Sequence, residues 1–280
     1  MREINVLEII KAVKELCINS NYNISEDVKD KIFKAKDIET WPIAKDILDK
    51  ILTNIDIAKN ENVPACQDTG MTCVFIELGQ EVKIAGGSLE EAINEGVRQG
   101  YNEGYLRKSV VKDPLRRINT NDNTPAVIDY KIVPGNKLKI TIAPKGAGSE
   151  NMSQLKMLRP SDGVEGIKEF VLKVVKEAGP NPCPPIVVGV GIGGTFDRAA
   201  LIAKKALIRP LSEKNPDKFY ADLEDELLRE INKLGIGPQG FGGKTTALKV
   251  NIETFPTHIA CLPVAVNINC HVTRHASIEF

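Results

Sequence analysis

The sequence predicts an α+β fold, with a mixed β-sheet core, flanking helices and a helical N-terminal layer. Apolar residues recur at helical spacing through the first sixty residues, whereas later segments carry short apolar runs of strand length between helical stretches. The chain has 280 residues, of which 42% are hydrophobic, which is enough to bury a large core. We therefore expect a helical layer over residues 1–60 and one continuous α+β region over residues 61–280.

The helices are predicted from apolar stripes and from one capping signal. The N-terminal layer has two stripes, over residues 4–17 and 43–58, with an apolar side chain at every third or fourth position. Ser88 and Glu91 form a capping box, which predicts a helix running to about Gly104. Further helices are predicted over residues 163–178, up to about residue 207, and over residues 220–234.

The strands are predicted from short runs of apolar and β-branched residues. These runs cover residues 71–78, 126–133, 137–143, 186–190, 247–253 and 259–268. Pro134, Gly135 and Asn136 separate the second run from the third, and this turn sequence predicts a hairpin. Four prolines within residues 180–185 cannot continue a helix, so this segment must be irregular.

The charge balance limits the classes of partner. The chain has 37 basic and 37 acidic residues, and a net charge of zero argues against a general nucleic-acid or membrane-surface role. No apolar run approaches the ~18–20 residues that span a bilayer. The first five residues lack the basic-then-apolar pattern of a signal peptide. We therefore expect a cytoplasmic protein.

The six cysteines fall into two groups by their local sequence. In a reducing compartment they are expected to be thiols or metal ligands rather than disulfides. Three of them lie in apolar surroundings and are predicted to be core residues: Cys17, Cys73 and Cys261. The other three lie beside polar residues or prolines, where a loop or strand end presents its side chains to a cleft: Cys66, Cys183 and Cys270. Their wide spacing excludes a short zinc knuckle but allows a site built from three distant loops.

Two glycine-rich segments satisfy parts of nucleotide-binding patterns. Gly189–Gly194 has the G-x-G-x-x-G spacing between a predicted strand and a helix. About twenty residues further on, the chain is basic and helical, so the acidic residue of a dinucleotide site is lacking. Gly240–Thr245 resembles a phosphate loop, but Pro238 stands where the pattern requires glycine. Both patterns are therefore weak indications of nucleotide binding.

Several longer runs resemble the class I fumarases and tartrate dehydratases. The resemblance extends from about residue 50 to residue 280, keeps its order, and is closest to the alpha subunit of the two-subunit form. The runs that carry it are residues 65–70, 104–110, 119–126 and 145–151, together with the surroundings of Cys183 and Cys270.

This resemblance implies a [4Fe–4S] cluster held by Cys66, Cys183 and Cys270, the three cysteines that local sequence had already separated from the rest. Three thiolates leave one of the four irons without a protein ligand. An open coordination position is typical of catalytic metal sites. The resemblance implies that this iron acts as a Lewis acid on the substrate hydroxyl.

The resemblance also implies roles for residues near the first cysteine and before the third. Gln67 would bind a substrate carboxylate, and Asp68 would join the hydrogen-bond network at the substrate hydroxyl. His258 would be catalytic, and with Asp68 it could protonate the leaving hydroxyl, since histidine titrates near working pH. Taken alone, Asp68 and Thr69 are typical of turns, and an isolated histidine is more often structural.

The dicarboxylate substrate of this family requires cationic and backbone contacts. Arginine suits a carboxylate because its guanidinium group binds it bidentately. The resemblance implies Arg107 for this role, and Arg116 remains an alternative. In the polar loop at residues 145–151, backbone N–H groups can approach a carboxylate oxygen closely, and the resemblance implies Gly148 as a substrate contact.

The leading functional hypothesis is a hydro-lyase alpha subunit that interconverts fumarate and malate, with L(+)-tartrate dehydration as the alternative. The resemblance implies that a separate beta subunit supplies the catalytic base and further cations, in a hetero-oligomer. Thr245 is the alternative base within this chain. Two hypotheses from other classes stay open: a nucleotide-binding oxidoreductase domain, and a zinc-stabilised interaction module that uses the same three cysteines.

Overall fold

The computed structural model describes residues 2–280, and it confirms the predicted α+β class. The helices are α1 Val6–Tyr22, α2 Glu26–Ile38, α3 Pro42–Glu61, α4 Leu89–Glu103, α5 Ala147–Glu150, α6 Gly163–Ala178, α7 Phe196–Ala206 and α8 Lys218–Lys233. The strands are β1 Arg2–Asn5, β2 Met71–Gly79, β3 Val82–Ala85, β4 Val127–Val133, β5 Leu138–Lys145, β6 Gln154–Leu158, β7 Ile186–Gly193, β8 Ala247–Phe255, β9 Leu262–Asn269 and β10 Ala276–Glu279.

The chain folds into two compact units, each built from segments that are not consecutive. Unit 1 comprises the chain up to Ile24, Ile55–Ala147 and Arg274–Phe280. Unit 2 comprises Ser25–Asn54 and Gly148–Thr273. The N-terminal helices are therefore divided: α1 belongs to unit 1, α2 belongs to unit 2, and α3 crosses the boundary.

Unit 1 has a four-stranded sheet in the order β10-β5-β2-β4, with a core shared between this sheet and helices α1 and α4. Asn5 caps α1, because its side chain accepts a hydrogen bond from the Leu7 N–H at 2.9 Å. Small residues allow α1 and α4 to approach closely. A Cβ on Gly96 would lie 2.6 Å from the Val13 Cβ atom, so only glycine fits at this helix crossing.

The predicted hairpin between the second and third strand runs is wrong. Strands β4 and β5 do not pair with each other; β4 pairs in parallel and β5 antiparallel with β2, which lies between them. The turn at Pro134–Asn136 bonds instead to the turn that follows β2: the Glu81 N–H donates to the Gly135 carbonyl at 3.0 Å. The mainly buried β2 gains two partners in this way, which a local hairpin would not provide.

Unit 2 has a four-stranded sheet in the order β6-β9-β7-β8, in which every residue of the central strand β7 is buried. A Cβ on Gly189 would lie 2.2 Å from the Ala203 carbonyl, and one on Gly191 would lie 2.2 Å from the Ala199 carbonyl. These two glycines therefore allow α7 to pack on the strand. They lie inside β7 and do not form the loop of a dinucleotide fingerprint.

The segment that resembled a phosphate loop is also used for packing. The Lys244 N–H donates to the Glu39 carboxylate at 2.7 Å, and the Lys244 ammonium donates to the Ile38 carbonyl at 3.0 Å. Both groups that a phosphate loop would offer to a phosphate are thus bonded to the end of α2 and to the residue that follows it.

The last part of the chain corrects the prediction of a strand over residues 259–268. The strand β9 begins only at Leu262, because residues 258–261 form a turn in which the Cys261 N–H donates to the His258 carbonyl at 2.8 Å. Cys261 is partly exposed and is not the core residue that we predicted, whereas Cys17 and Cys73 are buried. Strands β1, β3, β6 and β10 were not predicted. No helix within residues 2–280 is long and apolar enough to cross a membrane.

Candidate active site

The loop Cys66–Gly70 in unit 1 holds its aspartate in a defined position. One carboxylate oxygen of Asp68 accepts the Gly70 N–H at 3.0 Å, and the other accepts the Ala147 N–H at 2.8 Å. Gly146 makes room for this contact, since a Cβ there would lie 3.2 Å from the Asp68 Oδ2 atom. The run that begins at Lys145 therefore contacts the first run directly. The contact uses the backbone N–H of Ala147 and the absence of a side chain at Gly146.

Three consecutive carbonyl groups of this loop accept hydrogen bonds from side chains elsewhere in unit 1. The Arg274 guanidinium Nη2 donates to the Asp68 carbonyl. The Tyr101 hydroxyl lies 2.7 Å from the Thr69 carbonyl and 3.0 Å from the Gly70 carbonyl. Asn123 Nδ2 donates to the Gly70 carbonyl at 3.2 Å. We call Arg274, Tyr101 and Asn123 the carbonyl clamp.

Two further motif runs lie against the same loop. The Thr69 hydroxyl donates to the Arg107 carbonyl at 3.0 Å, and the Asn123 side-chain oxygen accepts the Ser109 N–H at 2.7 Å. Unit 1 thus brings together the runs at 65–70, 104–110, 119–126 and the start of 145–151. These runs are far apart in sequence, and only the fold explains why they occur together.

The side chains predicted to contact substrate in unit 1 lie at its surface. Gln67 and Arg107 are exposed, and Cys66 and Asp68 are partly buried. The Cys66 thiol lies 3.4 Å from the Gln67 Oε1 atom. The backbone of Arg107 is bonded to this loop, because its carbonyl accepts the Thr69 hydroxyl. Arg116 is also exposed, and its backbone N–H donates to the Asp113 carboxylate within its own turn at 2.6 Å.

Unit 2 places the loops of Cys183 and Cys270 next to each other, and Gly148 lies in the short helix α5 beside the first of them. The Cys183 carbonyl accepts the His271 N–H at 3.3 Å and lies 2.9 Å from the His271 Nδ1 atom. His271 follows Cys270 directly, so the two cysteine loops are bonded to each other. A Cβ on Gly148 would lie 3.6 Å from the Asn181 carbonyl, two residues before Cys183. Cys183 is exposed, with a φ of 56°, between two buried prolines.

His258 lies at the other end of β9 from Cys270. Its ring Nδ1 accepts the Ala260 N–H at 3.2 Å, and the residue is exposed. Seven steps of ~3.3 Å along β9 separate the ends of the strand by roughly 23 Å. Within one chain, His258 and Cys270 therefore do not share a site.

The exposure of the three selected cysteines fits a role as cluster ligands better than the burial of Cys17 and Cys73 does. Cys66, Cys183 and Cys270 are partly or fully exposed in loops, where their sulfur atoms are accessible to a ligand. By contrast, burial raises the pKa of the Cys17 thiol to about 12, so this cysteine stays protonated. Within residues 2–280, no three His, Cys, Asp or Glu side chains are grouped so that they could hold one metal ion.

The sequence did not identify the carbonyl clamp or the Ala147 N–H as parts of the site. Asn123 lies inside a run that carried the resemblance, so its position could have suggested a role. Tyr101 lies on the buried face of α4, where the sequence pattern predicts only a packing residue. Arg274 lies among polar residues near Cys270, and nothing in its local sequence distinguishes it from a surface arginine.

Comparison with known proteins agrees with these motifs. The family described as fumarate hydratase (fumerase) matches residues 10–279. A Methanocaldococcus jannaschii protein, provisionally named L(+)-tartrate dehydratase subunit alpha, is 46% identical over 276 residues, which cover 96% of each chain. The L(+)-tartrate dehydratase subunit alpha of Escherichia coli (strain K12) is 32% identical over 286 residues, which cover 99% of this chain and 94% of the relative. The chain therefore belongs to the fumarate hydratase family of hydro-lyases.

Proposed function

We propose that this chain is the alpha subunit of a [4Fe–4S] hydro-lyase that interconverts fumarate and malate. The observation that carries the proposal is the loop Cys66–Gly70, in which a candidate cluster ligand and a candidate catalytic carboxylate lie two residues apart. Four separate segments of unit 1 hold this loop in place, as a site that must align a substrate requires.

The cluster would be held by Cys66, Cys183 and Cys270. When bound, it supplies a Lewis-acidic iron that polarises the substrate hydroxyl. One contact within unit 2 supports this ligand set, because the loops of Cys183 and Cys270 are bonded to each other through His271.

The residues of this chain then bind and orient the substrate. Both carboxylate oxygens of Asp68 accept a backbone N–H, which fixes the plane of the group and leaves further lone pairs for the substrate hydroxyl. Arg107 and Gln67 are exposed beside it and can bind substrate carboxylates. Gly148 offers a close backbone approach in unit 2. His258 would take part as a proton donor only if a second copy of the chain supplied it.

Water elimination also needs a base that removes a proton from the neighbouring carbon. The site residues proposed here bind the substrate and the leaving hydroxyl, and none of them is assigned as that base. Thr245, the internal alternative, is buried and lies in the segment that packs against the end of α2. We therefore assign the base to a separate beta subunit, in keeping with the subunit names of the relatives.

The second candidate function is L(+)-tartrate dehydration. The specific observation that favours it is the name of the relatives, which are tartrate dehydratase subunits at 32–46% identity. The two functions are distinguished by measuring the turnover rates of fumarate and of L(+)-tartrate with the reconstituted complex of the two subunits. Full turnover by this chain alone would contradict the assignment of the base to the partner.

Replacing the cluster ligands tests the proposal directly. We expect Cys66→Ser, Cys183→Ser and Cys270→Ser each to abolish cluster loading, because serine cannot replace a thiolate at an iron–sulfur site. The measurement is iron and sulfide content per chain after anaerobic reconstitution, with absorption near ~400 nm from the thiolate–iron charge transfer. The matched control is Cys261→Ser, at a partly exposed cysteine outside the proposed site, which should load like the unchanged chain.

The outcomes separate the hypotheses. Full loading in one of the three variants removes that residue from the ligand set. A colourless chain that binds zinc through the same cysteines supports the interaction module instead. Saturable binding of a nicotinamide cofactor supports the oxidoreductase hypothesis.

A further inference from the structure

Arg274 is a buried cation with few partners. Only 5% of its surface is exposed, and its Nη2 atom donates to the Asp68 carbonyl. The Nε and Nη1 atoms are buried and make no hydrogen bond with any residue between 2 and 280. Buried donors without a partner destabilise a fold, and those of a charged group do so most. A neutral donor would hold a carbonyl without this penalty.

The charge of Arg274 is also poorly balanced by its bonded partner. That partner, the Asp68 carbonyl oxygen, carries no net charge. The Asp68 carboxylate accepts the Gly70 and Ala147 N–H groups and makes no bond to the guanidinium within residues 2–280. The other members of the carbonyl clamp, Tyr101 and Asn123, bind the same loop without a charge. The positive charge of Arg274 is therefore the property that its place in the clamp does not explain.

We propose that Arg274 is a positioning residue with two roles: it holds Asp68 through its carbonyl, and it provides positive charge beside an anionic centre at Cys66. This inference rests on the proposed function. A [4Fe–4S] core ligated by three thiolates carries a net negative charge, which a nearby buried cation stabilises. Net charge and hydrogen bonds around a cluster are also what set its reduction potential.

The chain limits the distance over which this charge acts. Arg274 bonds to the backbone of Asp68, and two residues of chain span at most ~7 Å from there to Cys66. At such a range, an ion enclosed by protein is screened much less than a surface charge is. Removal of the charge should therefore change the reduction potential of the cluster as well as the position of Asp68.

The experiment compares three variants in the cluster-loaded complex with the partner subunit. Arg274→Gln removes the charge but keeps a donor, Arg274→Lys keeps the charge, and Tyr101→Phe removes a neutral member of the clamp. We expect the one-electron reduction potential of the cluster to fall in Arg274→Gln, to return close to the original value in Arg274→Lys, and to stay unchanged in Tyr101→Phe. We expect kcat of Arg274→Gln to fall at least about tenfold while KM changes less than about twofold, because Arg274 does not touch the substrate.

An unchanged potential in Arg274→Gln, or an equal shift in Tyr101→Phe, would overturn the proposal. If Arg274→Gln takes up no cluster, Arg274→Lys decides: loading with the original potential supports the role of the charge, and loss of loading in both variants contradicts it. Failure of the proposed function is a different result, since the unchanged chain would then bind no cluster before any variant is made.

Discussion

Each unit contains an arginine that is largely removed from solvent, but the two arginines differ in their partners. In unit 2, Arg209 donates to the carboxylates of Glu224 and Glu253 and to the Asn251 side chain, and within residues 2–280 only its Nε atom lacks a partner. In unit 1, the Arg274 guanidinium bonds to the Asp68 carbonyl, and two of its three nitrogens lack a partner in the same part of the chain. The first arginine is bonded to two carboxylates, and the second is bonded to an uncharged carbonyl group.

The difference indicates which arginine serves the fold. Glu224 is 2% exposed and also accepts the Ile252 N–H at 2.7 Å, so its pair with Arg209 links α8 to β8 through a nearly complete set of bonds. A buried ion pair is tolerated when its remaining atoms are bonded in this way. Arg274 lacks such a set of bonds, as we expect if its charge stabilises the proposed cluster beside Cys66.

The largest expected effect is the loss of the Glu224 carboxylate. Glu224→Gln should lower the free energy of unfolding by about 3–5 kcal/mol, because Arg209 and Lys249 would remain buried without their shared counter-ion. Chemical denaturation of the cluster-free chain measures this loss. Glu226→Gln on the same helix is the matched control, since Glu226 pairs with Lys168 at 2.7 Å near the surface and should contribute less than ~1 kcal/mol. Equal losses in the two variants would contradict the comparison.

A direct test sets the two arginines side by side. Arg209→Met should lower the free energy of unfolding by about 3–5 kcal/mol, because the buried Glu224 carboxylate would lose its arginine partner. Arg274→Met should lower the free energy of unfolding by no more than about 1 kcal/mol. The variant loses one hydrogen bond, but it also removes two buried donors that have no partner within residues 2–280. Both values come from denaturation of the cluster-free chain. If Arg274→Met proved as destabilising as Arg209→Met, Arg274 would be a structural residue.

The smallest effect concerns Lys249, which is 6% exposed. Burial lowers the pKa of Lys249 from its ordinary value of 10.5, although Glu224 acts in the opposite direction. Just below pH 10.5, the unfolded chain therefore binds a proton that the folded chain does not. The free energy of unfolding rises with pH in that window, and the gain is lost as pH falls through the folded pKa. Lys249→Met should remove this rise, as denaturation midpoints of both chains between pH 8 and pH 10.5 would show. Identical pH profiles would exclude this role of Lys249.

The sequence predicted the elements better than it predicted their pairing. The strand at residues 71–78 and the helix that follows Ser88 were found near their predicted bounds, because apolar periodicity and capping act locally. The pairing of β4 and β5 with β2 depends on contacts between distant segments, which a turn sequence does not encode. The short edge strands β1 and β10 have too few residues to produce a pattern.

The candidate site shows the same division. Motif resemblance and local setting predicted Cys66, Asp68 and Arg107 as site residues, and the structure places them on segments bonded to each other in unit 1. The strand predicted over residues 259–268 already separated His258 from Cys270 by its length, and the structure has this separation along β9. The resemblance gave a role for each of the two residues but no distance between them. Arg274 could not be found, because burial alone distinguishes it from other arginines.

The discontinuity of unit 1 has a consequence for how the protein is made. Strand β10 covers one edge of β5, yet it follows β5 by the whole length of the chain between Lys145 and Ala276. A ribosome that adds about 5–20 residues each second would expose that edge for roughly 6 to 26 seconds. During this interval the backbone of β5 is open to pairing with another nascent chain. Arg274 is synthesised just before β10, so the side chain that bonds to the Asp68 carbonyl and the strand that covers β5 are made in the same short stretch of chain.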